Sequence, residues 1–110
     1  MKELFEMDGY KIRLKRTRYA NNNSLAVLAD YFDDEMNTWL PYMDVTTNID
    51  WPSADNTKAF VNTNMYGIDV AVWLSENGIA EPTGLYGYSG FNTYALMDFS
   101  KSINDIPEIK

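Results

Sequence analysis

The sequence predicts an α+β fold: an antiparallel sheet of four to five strands, ordered β-β-β-(β)-α-β, with one main helix packed on one face. Three observations lead there. From Tyr10 the chain alternates Lys11, Arg13 and Lys15 with Ile12 and Leu14, the period of two that marks a half-buried strand. Asn21-Asn22-Asn23-Ser24 follows, and asparagine closes tight turns because it tolerates left-handed backbone. Further on, the apolar stretch Tyr66 to Asn77 runs into Asn77-Gly78, a helix-stop signal.

In chain order, the first strand spans Tyr10 to Tyr19 and the return strand Leu25 to Phe32. Leu25, Leu28, Ala29 and Phe32 also fit a helical face with Ser24 as N-cap, but the hairpin chemistry before them favours β. A turn centred on Asn22 would set position 14 opposite 30 and 11 opposite 33. Asp33-Asp34-Glu35 makes an acidic turn. Trp39 to Ile49 is a third extended segment, rich in β-branched and aromatic residues, with Pro41 marking a sheet edge or a bulge. Asp50 to Asn56 reads as loop, and Lys58 to Val61 as a short extended piece. The helix, Tyr66 to Asn77, carries Asp69 and Glu76 on one face and is otherwise nearly all apolar. It should therefore be largely buried, covering a sheet face with Val72, Trp73 and Leu74. Pro82 to Gly90 reads as consecutive turns around three glycines, Phe91 to Phe99 as a last strand, and the tail from Lys101 as frayed.

All 110 residues fit a single domain, long enough to bury one core without staples. Histidine and cysteine are both absent, which removes Ser-His-Asp and Cys-His catalysis and any thiolate or imidazole zinc site. No apolar segment of signal-peptide or membrane-helix length is present, so a soluble, cytoplasmic protein is expected. The net charge of −7 is uneven: residues 1–18 carry six Lys/Arg against three acids, and residues 19–110 carry three against thirteen. The acidic majority repels phosphates and argues against nonspecific nucleic-acid or anionic-membrane binding.

Each cluster has two readings. Lys11, Arg13 and Lys15, with Arg16 and Arg18 beyond, form either a basic patch or one side of cross-strand ion pairs with Asp30, Asp33 and Asp34, the more ordinary arrangement. Asp30, Asp33, Asp34 and Glu35 lack the glycine and the spacing of a calcium loop and read as a solvated turn. Gly84, Gly87 and Gly90 lack the lysine of a Walker loop and the strand-before-helix setting of a dinucleotide fingerprint. The aromatics among them, Tyr86, Tyr88 and Phe91, either stack on a partner or fold back onto the core. Of the tryptophans, Trp73 should be core, whereas Trp51, beside Pro52, is the one expected to be exposed and to anchor a partner. Trp51, Tyr86, Tyr88 and Phe91 together form the candidate interaction surface. No catalytic residue, cofactor site or metal site is expected.

Several segments resemble a known family. They are Tyr19-Ala20-Asn21-Asn22, Pro41-Tyr42, Val45-Thr46-Thr47-Asn48-Ile49, Phe60-Val61-Asn62-Thr63-Asn64 and Glu76-Asn77-Gly78. The densest block runs Glu81-Pro82-Thr83-Gly84-Leu85-Tyr86-Gly87-Tyr88-Ser89-Gly90-Phe91 and on through Thr93-Tyr94. Together they look like a family of small bacterial proteins of unknown function from gut Bacteroidetes and Firmicutes, often encoded near mobile or conjugative elements. The resemblance covers Tyr10 to Phe99 and implies a bacterial, cytoplasmic, accessory protein that is β-rich over Leu25 to Phe32. Glu35 to Leu40 departs from it, lacking the glycine turn that usually precedes the Pro-Tyr pair.

The leading functional expectation is a non-catalytic interaction module that binds protein through the aromatic surface, with a homodimer as one form. The alternatives are an acidic nucleic-acid mimic that inhibits a restriction or defence enzyme, and a small hydrolase built on a carboxylate pair.

Overall fold

Residues 4–49, 57–64 and 67–109 are described by the computed structural model of the chain. The expected loop from Asp50 to Asn56 lies outside these residues, as does Tyr66, the expected start of the helix. Strand β1, Phe5–Met7, precedes the first expected strand and pairs with β2, Tyr10–Arg18. Asp8 and Gly9 join them at φ 52° and 83°. Positive φ at both central residues is the signature of the type I′ hairpin turn that Asp-Gly favours.

β2 returns through Leu25–Asp33, β3, which is a strand throughout. The register differs by one from the expected one: Leu14 faces Ala29, and Arg13 faces Asp30. The connection runs from Tyr19 to Ser24, closed by Tyr19 N–H to Ser24 at 2.9 Å and by Asn23, at φ 59°, to Tyr19 at 2.8 Å. Its even length centres the turn between Asn21 and Asn22, which slides the register by one. Thr38–Asp44, β4, pairs with β3 across a register shift at Ala29/Asp30, opposite Met43 and Pro41. Proline therefore sits on an edge strand beside a bulge, where its missing N–H costs no ladder bond.

The third extended segment divides at Val45. β4 completes one four-stranded sheet, β1-β2-β3-β4, and Thr46–Thr47, β5, starts another. The second sheet adds β6 (Lys58–Asn62), β7 (Glu81–Ser89) and β8 (Asn92–Asp98) in the order β5-β6-β8-β7, all antiparallel. The expected antiparallel sheet with one helix is thus present, and a second sheet accompanies it.

At Val45 the sheets are joined by hydrogen bonds. Val45 N–H donates to the Val27 carbonyl at 2.8 Å, and Val27 N–H donates to Thr46 Oγ1 at 3.0 Å. The Tyr19 hydroxyl lies 3.2 Å from the Thr46 carbonyl and 3.0 Å from Thr46 Oγ1. Burial raises the Tyr19 pKa above its ordinary value; the hydrogen bond with Thr46 opposes the shift and the Asp44 charge adds to it.

The helix α1 is shorter than expected, Val70–Glu76. Gly67 sits at φ 79°, and extended Asp69 caps the helix by accepting from Val72 N–H at 3.2 Å. An N-cap with non-helical backbone fixes where the first turn begins. Gly78 at φ 68° ends it, as Asn77-Gly78 foretold. Only Val70 and Leu74 are buried, and Val72 is 48% exposed, so one stripe rather than most of the helix faces the core. Trp73 packs edge-on against Phe5 at 5.8 Å and donates its indole N–H to the Glu6 carbonyl at 2.9 Å. These contacts tie α1 to β1.

The tail is docked rather than frayed. Ser102 and Ile106 are buried, and the Ser102 hydroxyl donates to the Ile79 carbonyl at 2.6 Å. Arg16 holds the chain end: its N–H donates to Pro107, Ile109 N–H donates to its carbonyl, and its guanidinium reaches Ile106 O and Glu108, all at 2.8–2.9 Å. One core collects Ile12, Leu14 and Val27 from the first sheet, Val61 and Met97 from the second, Leu74 from α1, and Phe99 and Ile106.

Candidate protein interface

The stretch read as consecutive turns is strand β7 as far as Ser89, with Gly90 in the hairpin turn, and the three glycines serve three different purposes. Gly84 takes φ 86° in the register shift between Pro82 and Tyr86. Gly87 lies in regular strand, and a Cβ there would fall 2.7 Å from Cε1 of buried Phe60. Gly90, at φ 62°, is the first of the two residues that link Ser89 to Asn92. A glycine with positive φ at that position is the type II′ pattern, whose twist matches the flanking strands.

Strand alternation puts Tyr86 and Tyr88 on one face, opposite Ala95 and Thr93 of β8. Partners this small cannot cover a phenol ring. Tyr86 is 59% exposed, Tyr88 73%, and Phe91, at the turn, wholly so. Leu85, 53% exposed, adds apolar surface from the other side of the strand. Three of the four expected surface residues thus share one hairpin; Trp51 lies outside the described residues. Between Pro82 and Met97 the chain has no charged residue, although 23% of the whole chain is charged. At the base of the hairpin Lys101 meets Glu81 at 2.6 Å. That hydrogen bond, helped by the attraction of the Glu81 charge, raises the Lys101 pKa.

Among the described residues, β7 is also the outer strand of its sheet. In a hairpin closed by two residues, Ser89 and Asn92 exchange main-chain hydrogen bonds. Alternation then turns the N–H and C=O groups of Tyr86 and Tyr88 away from β8, along the open edge. The other edges are less available: β1 and β5 are three and two residues long, and β4 carries Pro41 and the bulge. Short strands, proline and bulges are the usual guards of sheet edges; β7 carries Pro82 and a register shift up to Leu85, but residues 86–89 have none of them.

The basic strand β2 is spent on structure. Asp30, 4% exposed, lies 3.4 Å from Arg13 and 3.2 Å from Lys15. Arg13 stacks over Trp39 at 4.5 Å and Lys11 over Phe32 at 5.4 Å. Arg16 holds the tail, and Arg18 donates to the Asn23 carbonyl at 3.2 Å. At the acidic turn, Asp33 Oδ1 accepts from the N–H groups of Glu35 and Met36, at 2.9 and 3.3 Å. These acids border an open groove with Tyr10, Lys11 and Phe32. Among the described residues, no helix is long and apolar enough to cross a membrane, and no cluster of acids is arranged to hold a metal ion.

Comparison with curated proteins finds no match, and neither does comparison with solved structures. A family model does match, over residues 13–107, a span from β2 to the docked tail that includes the whole hairpin. The chain therefore belongs to the family described as domain of unknown function DUF4313.

Proposed function

We propose that the chain is a non-catalytic interaction module that binds protein through the β7–β8 hairpin. The observation that supports this most directly is the contiguous exposure of Tyr86, Tyr88 and Phe91 on an edge hairpin that carries no charge between Pro82 and Met97. Tyrosine and phenylalanine bring large contact area at low entropic cost and are favoured anchors of interfaces. An apolar patch rimmed by polar residues is a binding surface by default. On this reading the module acts in the bacterial cytoplasm as an accessory protein of a mobile element, a setting suggested by the resemblance of its Glu81 to Phe91 block.

The test is affinity capture from a bacterial host lysate with wild type, a Tyr86→Ala/Tyr88→Ala double variant and Phe91→Ala. Circular dichroism would first establish that each variant is folded. A partner lost with the double variant supports the reading. Partners retained equally by all three proteins would remove the hairpin as the contact surface.

A further inference from the structure

We infer that the partner of this hairpin is a second copy of the chain, joined edge to edge through β7 in a twofold antiparallel pair centred on Gly87. The inference rests on the hairpin reading above and names its occupant. Three features favour self-pairing. First, the main-chain groups of Tyr86 and Tyr88 that face the open edge are spaced to bond an identical strand. In antiparallel register Tyr86 of each copy faces Tyr88 of the other, for about four main-chain hydrogen bonds across the axis. Second, that register sets Gly87 against Gly87 and gathers both pairs of tyrosines on one face as direct cross-strand neighbours. Third, two chains of net charge −7 meet no local like-charge repulsion where neither is charged, and the segment from Pro82 to Met97 carries no charge. The product is a continuous sheet, β5-β6-β8-β7 followed by the same strands reversed.

The size of the contact fixes the expected strength. The exposed aromatic rings would bury on the order of 100 Å² each, which with the strand backbones puts the interface near ~1,000 Å², the low end for specific complexes. The dimer should therefore be reversible and depend on concentration.

Sedimentation equilibrium of the purified chain from about 1 to about 500 µM tests this. The expected result is a shift from the 12.6 kDa monomer toward twice that mass. Tyr88→Pro removes an edge-facing N–H that β8 does not use and should abolish the shift. A register test uses the cysteine-free background. Positions 85 and 89 of opposite copies would face each other as a non-hydrogen-bonded pair, with Cα atoms about 4.5 Å apart, close enough for a disulfide. Mixed Leu85→Cys and Ser89→Cys proteins should cross-link many-fold faster than either alone, because identical positions lie about 14 Å apart along the strands.

A monomer at every concentration overturns the inference, as does a dimer that survives Tyr88→Pro or cross-linking no faster in the mixture. If the purified chain is monomeric while the hairpin captures another protein, the inference falls and the interaction reading stands. If the register test succeeds but nothing is captured from lysate, self-association itself is the interaction.

Discussion

Gly87→Ala isolates a contact that the backbone alone would not reveal. Gly87 is in regular strand, so alanine meets no positive-φ penalty and should gain about 0.5–1 kcal/mol from reduced unfolded-state freedom. Against that, its Cβ would sit 2.7, 3.0 and 3.1 Å from Cε1, Cζ and Cδ1 of Phe60, a ring only 4% exposed. Forcing a buried ring aside costs about 1–3 kcal/mol. The clash wins, and the net loss should be about 1 kcal/mol, or roughly 4 °C in Tm. The assay is urea unfolding followed by circular dichroism at one fixed chain concentration, so that any association contributes equally. Phe60→Leu removes the two ring positions nearest the new methyl group. In that background Gly87→Ala should be neutral or stabilising, a coupling of about 1–2 kcal/mol. Gly90→Ala is the control. Its φ of 62° makes alanine costly, about 1 kcal/mol, yet beyond its chain neighbours nothing lies within 4 Å of the added carbon, so Phe60→Leu should not rescue it. An equal cost of Gly87→Ala in both backgrounds, or no cost in either, would refute the contact.

Three further outcomes follow from the core, the tail and the join between the sheets. Leu74→Ala empties a fully buried position and should cost about 2–5 kcal/mol in urea unfolding, whereas Val72→Ala on the exposed side should change stability by less than about 0.5 kcal/mol. Removing residues 105–110 deletes buried Ile106 and the partners of Arg16, and should lower the unfolding free energy from urea titration by at least about 2 kcal/mol; an unchanged value would mean that the tail contributes nothing. Tyr19 keeps its proton to higher pH when folded than when unfolded, so its contribution is complete below the ordinary value of 10.0 and is lost as pH rises above it. Thermal melts should therefore show a shallower alkaline loss for Tyr19→Phe than for wild type, and parallel slopes would count against that burial.

Much of the fold was legible because it is written in local chemistry. The alternation of Ile12 and Leu14, the asparagines before Ser24 and the glycine after Asn77 each fixed an element within a residue or two. The β1–β2 hairpin was equally legible: Asp8-Gly9, flanked by Phe5, Met7, Tyr10 and Ile12 in alternation, is a strong short hairpin signal that a reading for leader peptides passes over. Other features are set by contacts far apart in sequence. Arg16 looks like part of a basic run until Pro107 and Glu108 return to it, ninety residues on. The glycines of β7 look like turn residues because the space for a strand is defined by Phe60, in another part of the chain. The division of β4 from β5 depends on Val45 meeting Val27, which no local pattern encodes. At the candidate interface, the residue types were visible as an aromatic cluster among glycines. Their exposure was not, because it depends on Thr93 and Ala95 being too small to cover them.

The division at Val45 also bears on how the protein is made. Every strand of the first sheet lies before residue 45 and every strand of the second after it, so the pairings that define each sheet stay within one half of the chain. As synthesis proceeds, the β1-to-β4 meander can form from neighbouring segments while the rest is still being added. Its apolar face then stays open until the second half arrives. Ile106 to Ile109 follow both sheets in the sequence and reach back to Arg16, so closure waits until they too have been made. During that interval, a nascent chain offers β2 with its tail-binding side unoccupied, and chaperones would have their window there.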